Sequence, residues 1–220
     1  MNLGQLRIAI QARGYGTDTA TQQTALINAA GREITGERRW WWREAQNSSL
    51  TTTSGTATLS TSTITDLLDI DAVRLSYGSE RYDLEYLAPP QILENIHLYR
   101  DAGVPLFWSQ ADGLLQFWPI PDRAYAVSID YLKDWTELSA DSDEPGFPET
   151  YHDVLVWQPI GELAFRERDT QSYGMAMAKA ERLMDKMRKA QQSVRQRQSS
   201  RYVTYSGVHD SNTGYRGVWF

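Results

Sequence analysis

The spacing of apolar residues changes twice along this chain, from helical to extended and back, and that change restricts the fold more than any single motif does. Leu3, Leu6 and Ile10 recur at helical spacing until Gly14 and Gly16 end the run. Thr17 or Asp18 can then cap a second helix, which carries Ala25, Leu26, Ala29, Ala30 and Ile34 toward Arg38-Arg39-Trp40-Trp41-Trp42. From residue 48 the chain is rich in Ser and Thr. Because threonine is β-branched and favours strands, residues 50–59 predict a hairpin turning at Ser54-Gly55.

Residues 70–77 and 81–87 read as another pair of strands, and Pro89-Pro90 opens a short helix with Ile92, Leu93, Ile96 and Tyr99 on its apolar side. The clearest hairpin sets residues 105–109 against 114–118 across a turn containing Asp112-Gly113. Val127, Ile129 and Tyr131 then alternate as in a strand. After the acidic loop 141–146, Pro148 starts a helix holding Val154, Leu155, Trp157, Ile160, Leu163, Ala164 and Phe165, which Pro159 should kink or break. A long amphipathic helix follows from 171 to about 198, with Met177, Leu183, Met184 and Met187 on its apolar side.

This order predicts an α+β protein: mainly a helical bundle with an inserted small antiparallel β domain and an extended C-terminal arm. The expected boundaries are 1–47 for the N-terminal helices of the bundle and 48–135 for the β-rich insertion with its short helix. Residues 148–198 supply the closing helices, and 199–220 the arm.

Charge is unevenly spread. The net charge is −6, yet from Lys186 onward seven basic residues face one acid, Asp210, leaving −12 on the rest. An acidic body with a basic end predicts that the end meets something negative, either a partner's acidic surface or nucleic acid. Cysteine is absent, which removes disulfides, thiolate nucleophiles and Cys-based zinc sites, and fits synthesis in a reducing cytoplasm. The N-terminus lacks the apolar stretch of a signal peptide, and no run of about 18 apolar residues predicts a membrane span.

Catalytic signatures are equally scarce. No phosphate-binding glycine loop and no nucleophile elbow occurs, and His97, His152 and His209 are too scattered to suggest a metal site. In the loop from Asp141, an EF-hand pattern fails because Pro145 and His152 occupy ligand positions, so a solvated connection is expected. The carboxylates Asp66, Asp69, Asp71, Glu80, Asp83 and Glu85 leave a glycosidase pair open, since such a pair is defined by geometry. Arg38-Arg39-Trp40-Trp41-Trp42-Arg43 interleaves basic and aromatic residues, which allows stacking on single-stranded nucleic acid. The competing reading packs these tryptophans into the core or a subunit interface, and Glu37 and Glu44 blunt the positive patch. No catalytic residue, metal or cofactor is expected. The leading reading is a structural subunit of a larger assembly. The alternative is a nucleic-acid-binding module using the Trp cluster and the basic tail, and a third reading is a carbohydrate-active protein.

One longer pattern joins these segments. A helical pair ends at Trp40–Trp42, followed by the Thr-rich segment, a strand with Val73-Arg74 and the Pro-Pro helix. Pro105-Leu-Phe-Trp108, Leu114 to Trp118, Pro119-Ile-Pro121-Asp122 and Pro148-Glu-Thr-Tyr-His-Asp-Val-Leu155 complete it. This succession, covering roughly residues 1–190, resembles the head-to-tail connector (adaptor) proteins of tailed bacteriophages. The resemblance implies a non-enzymatic virion protein of the neck, made in the host cytoplasm, that forms a dodecameric ring under the portal. Such a ring extends the channel for passing double-stranded DNA without sequence-specific contact, and offers its lower face to a tail, stopper or nozzle protein. In several such proteins a C-terminal arm reaches the portal. By its chemistry the tail here suits that role, with Arg195, Arg197 and Arg201 for charge and Tyr202, Tyr205, Tyr215, Trp219 and Phe220 for anchoring. Trp40, Trp41, Trp42, Trp108 and Trp118 are expected in the core or at subunit interfaces.

Overall fold

A computed structural model describes residues 1–15, 18–88 and 101–210, with side chains as far as Val194. The chain divides into two compact units, Met1–Trp41 with Glu137–Phe220, and Trp42–Thr136.

Four α-helices build the first unit among the described residues. Helix α1 (Leu3–Gln11) is started by Asn2, whose side chain accepts from the Gln5 amide while the Gln5 side chain accepts from the Asn2 amide. Helix α2 (Ala20–Glu37) begins with the same reciprocal pair, Thr19 and Gln22. The cap is therefore Thr19, not Thr17 or Asp18, because Thr19 has the glutamine three residues ahead. Helix α3 (Val154–Arg166) follows a single 3-10 turn, Glu149–Tyr151, and helix α4 spans Thr170–Asp210.

Leu3, Leu6 and Ile10 of α1, Ile27 and Ile34 of α2, and Leu155, Ile160 and Leu163 of α3 are buried together with a stripe on α4. That stripe is Ala176, Ala180, Met184, Met187 and Gln191, spaced at three and four residues. Pro159 does not break α3, which continues as one helix to Arg166. Interior proline costs about 3 kcal/mol. Burial of each large side chain on α3 returns roughly 1.5–3 kcal/mol, so the packed face wins.

Seven strands form the second unit: β1 (Glu44–Thr51), β2 (Thr58–Ser60), β3 (Leu67–Tyr77), β4 (Glu80–Tyr86), β5 (Phe107–Ala111), β6 (Leu114–Trp118) and β7 (Ala126–Lys133). They make one sheet in the order β1-β7-β3-β4-β5-β6-β2. All neighbours are antiparallel except β4 and β5, which run parallel and meet at Glu85–Phe107 and Tyr86–Trp108. Thus β1 and β2, adjacent in sequence, lie at opposite edges. Seven peptide units from Thr51 to Thr58 reach at most about 25 Å. The edges of a flat seven-stranded sheet would stand about 29 Å apart, so the sheet must curl.

The connection is pinned along its length. Thr52 exchanges bonds with Tyr125, its amide donating to the Tyr125 carbonyl and its hydroxyl accepting from the Tyr125 amide. Gly55 donates to the Pro121 carbonyl. The curl encloses Leu75, Trp108, Leu115, Phe117, Val127 and Ile129. On the polar side, Gln46 donates to Asp130, and Arg74 pairs with both Asp130 and Asp83 across three strands.

Two expectations about this unit need correction. The protein is not mainly a helical bundle with a small β insertion: the β unit is a seven-stranded curled sheet, with a parallel pair in it. Residues 50–59 do not pair as a hairpin. The turn is real, with Gly55 at φ 75°, but β1 pairs with β7 and β2 with β6. Threonine content predicts strands and cannot predict their distant partners. The hairpin β5–β6 forms as expected over Asp112 (φ 51°) and Gly113 (φ 73°), and β3 pairs with β4 through Val73 and Leu84. Nor does an extended arm start at residue 199, since α4 runs to Asp210. The helix expected after Pro89-Pro90 lies outside the described residues.

Candidate functional site

The run Trp40–Trp42 begins with a ring that is wholly buried. Trp40 is 0% exposed and its Nε1 donates to the Ile34 carbonyl at 2.6 Å, while the Arg38 guanidinium lies over its ring at 5.2 Å. Trp41 meets Trp40 edge-on at 6.4 Å between centroids, and Trp42 opens the β unit. Trp108 is buried in the curled sheet with Tyr86 edge-on at 4.9 Å, and Trp118, on β6, is half-buried. A stacking platform for nucleic acid needs exposed faces, and Trp40 has none to offer.

What the cluster does hold is the seam between α2 and α4. Gln191, buried on α4, accepts from the Trp41 amide at 2.9 Å and donates to the Arg39 carbonyl at 3.2 Å. One turn earlier, the Arg188 guanidinium grips both oxygens of Glu37 at 2.8 and 3.2 Å and also reaches Glu181 and Asp185. Burial pushes the Glu37 carboxyl up, but the guanidiniums of Arg188 and Arg38 outweigh it and hold it below the usual range. The seam's contribution is therefore present above the ordinary glutamate pKa and lost as pH falls through the depressed one. Replacing Arg188 by Met is expected to cost about 1 kcal/mol at neutral pH, given the partial exposure of these groups. Chemical denaturation at several pH values checks this, and variant and parent should converge once the pH has fallen below the depressed Glu37 pKa.

Gln191 is the last buried residue described on α4, yet the helix continues for 19 residues to Asp210, roughly 28 Å further. Arg195, Arg197, Arg201, Tyr202 and Tyr205 fall within this extension, and their side chains lie outside the described residues. So do Tyr215, Trp219 and Phe220 in full.

The remaining candidates have local roles. Asp143 accepts from the Ser139 and Ala140 amides and holds its own loop. Asp141 pairs with Arg7, and the carbonyls of Asp141 and Asp143 receive the Gly4 and Leu3 amides at the start of α1. The loop expected to be a solvated connection is thus the seat of α1. His152 is buried, with Nε2 donating to the Phe147 carbonyl at 2.7 Å. Tyr125 donates to Asp122 at 2.6 Å, and burial together with that carboxylate pushes its hydroxyl up to about 12. Among the described residues no cluster of metal-ligating side chains occurs, and no helix is long and apolar enough to cross a membrane.

The sequence reading missed Asn28 and Gln191, two buried amides that fix backbone, since neither interrupts a helical pattern in a way that marks it. No protein of curated function matches this chain. A family model, that of the SU10 adaptor protein, matches residues 1–205, a span that takes in both units and nearly the whole of α4. The chain belongs to the SU10 adaptor protein family, and with it to the structural, virion-associated adaptor proteins of phages.

Proposed function

We propose that this protein is a head-to-tail adaptor that forms a ring, of twelve copies by the family resemblance, beneath the phage portal. The ring extends the DNA channel and offers its lower face to a tail, stopper or nozzle protein. The observation that carries this reading is the run of α4 to Asp210, past Gln191, in a chain matched to an adaptor family. Helices in proteins draw most of their stability from packing a face against a neighbour, and a partner surface would supply that to this extension. Arg195, Arg197, Arg201, Tyr202, Tyr205, Tyr215, Trp219 and Phe220 supply charge and aromatic anchors for the portal. The acidic remainder of the chain repels passing DNA rather than holding it.

The test is binding to the portal protein of the same genome, comparing the full chain with a version ending at Gln191. Electron microscopy of the mixture should show ring-on-ring complexes with the full chain and at least a hundredfold weaker binding on truncation, the loss expected when several buried aromatic anchors go. Binding that survives truncation moves the contact to the body of the protein. No binding by either version overturns the adaptor reading of this site.

A further inference from the structure

Helix α4 carries opposite chemistry on the two sides of its buried stripe. On the side facing α2, Tyr173 and Met177 border a groove completed by Leu26, Ala29 and Glu33 of α2 and Glu162 of α3. Phe165 of α3, 66% exposed, stands beside Tyr173 at 5.9 Å between centroids, and Tyr173 is itself 40% exposed. Further along the same side come Glu181, Asp185 and Glu37, with Arg188 among them. At the groove's end Arg166 is already engaged by Glu162 and Asp18, and Arg168 follows it. The groove's lining is largely apolar and carries Glu33 and Glu162; with Glu181, Asp185 and Glu37 beyond it, five carboxylates on this side outnumber the guanidiniums of Arg166 and Arg188 that pair with them.

On the other side, Met175, Lys179, Arg182 and Lys186 recur at four, three and four residues, all exposed. Lys179 lies over the Trp157 ring at 3.9 Å, and Arg13 of α1 lies over the same ring at 4.6 Å. Among the described residues Arg13, Lys179, Arg182 and Lys186 carry no ion pair to a carboxylate. Gly161 lets α3 lie close against α4, since a Cβ there would stand 2.8 Å from the Met177 sulfur.

We infer that the groove takes a second copy of this chain, which enters it with the basic side of its own α4: Met175 against Phe165 and Tyr173, and Lys179, Arg182 and Lys186 along Glu33, Glu162, Glu181 and Asp185. The signs are complementary and the two surfaces differ, so the contact is heterologous and repeats from copy to copy until it closes. A self-complementary pairing of two grooves would bring acid against acid. This inference rests on the ring reading and names the surfaces that make the ring.

The absence of cysteine gives the test a silent background. One chain carries Ala29→Cys in the groove and another carries Met175→Cys on the basic side, both conservative and exposed. A short bismaleimide linker is added to each chain alone and to the mixture, free and on the portal, with electron microscopy of the same samples. The mixture should give a cross-linked dimer that neither chain gives alone. Adding Lys179→Glu and Arg182→Glu to the Met175→Cys chain should cut the yield about tenfold. Cross-linking of the Ala29→Cys chain to itself would overturn the inference in favour of a two-fold contact. Rings without the mixed cross-link would overturn the inference and leave the ring. Neither rings nor cross-links in either setting would overturn both.

Discussion

Replacing Trp40 by alanine is expected to lower the stability of the protein by about 3–5 kcal/mol, among the largest losses a single substitution can give here. The ring is 0% exposed, so its whole apolar area returns to water or leaves a cavity at the end of α2. Its Nε1 donates to the Ile34 carbonyl, a group near the C-terminal end of the helix that has no amide of its own to meet it. Arg38 loses the face it covers. Trp40→Phe separates these terms. It keeps most of the apolar volume and drops the hydrogen bond, and should cost about 1–2 kcal/mol. Urea denaturation followed by circular dichroism measures both. A loss below 1 kcal/mol for Trp40→Ala would mean that Trp40 is not packed as described. If the tryptophans instead served to stack nucleic acid, Trp40→Ala would leave stability nearly unchanged.

Stability and assembly should part company elsewhere. Phe165 and Tyr173 are exposed on the subunit, and their replacement should leave denaturation curves in place while reducing association of copies. Trp40 and Phe165 look alike in sequence, as large aromatics at helix ends beside charged residues. Only the fold tells that one is core and the other surface.

Much of the fold was legible for a physical reason: periodicity reports which face of an element is buried. Leu3, Leu6 and Ile10 sit where their spacing placed them, and the β5–β6 hairpin turns at Asp112-Gly113 because two left-handed residues are needed there. The failures share one cause. Periodicity is local, and the pairing of β1 with β7 or β2 with β6 joins residues that no local pattern connects. The Thr-rich segment therefore looked like a self-contained hairpin, and the β unit looked small. The site was less legible still. The spacing of Met177 and Met184 marked the apolar side of α4, but Met177 is partly exposed and the small residues Ala176 and Ala180 take the buried line. The polar seam of Gln191 and Arg188 had no signature, because glutamine and arginine are good helix formers wherever they stand. The arm's residues are marked in the sequence only by their charge and aromatic chemistry.

Asn28 shows the same blindness with a large energy attached. It lies in α2, 6% exposed, at a position that helical spacing would give to any small residue. Its side chain acts as a strand partner for Leu138: Nδ2 donates to the Leu138 carbonyl and Oδ1 accepts from the Leu138 amide, both at 2.9 Å. The returning chain is thereby fixed to α2, assisted by the pair of Arg32 with Glu137 at the surface. Replacing Asn28 by leucine keeps the size and removes both bonds, leaving a buried amide and carbonyl of Leu138 without partners. Each orphaned group costs roughly 1–3 kcal/mol, so a total of about 2–5 kcal/mol is expected. Asn28→Asp is the informative companion. An ionised carboxylate still accepts from the Leu138 amide but stands against the Leu138 carbonyl, whereas the protonated acid can donate to it. That carboxyl should titrate above the normal aspartate range, and its damage should shrink as pH falls, opposite in sign to the Glu37–Arg188 seam. Denaturation of both variants at neutral and acid pH checks the pair. Equal losses for Asn28→Asp at both pH values would show that the carbonyl of Leu138 is satisfied by some group other than Asn28.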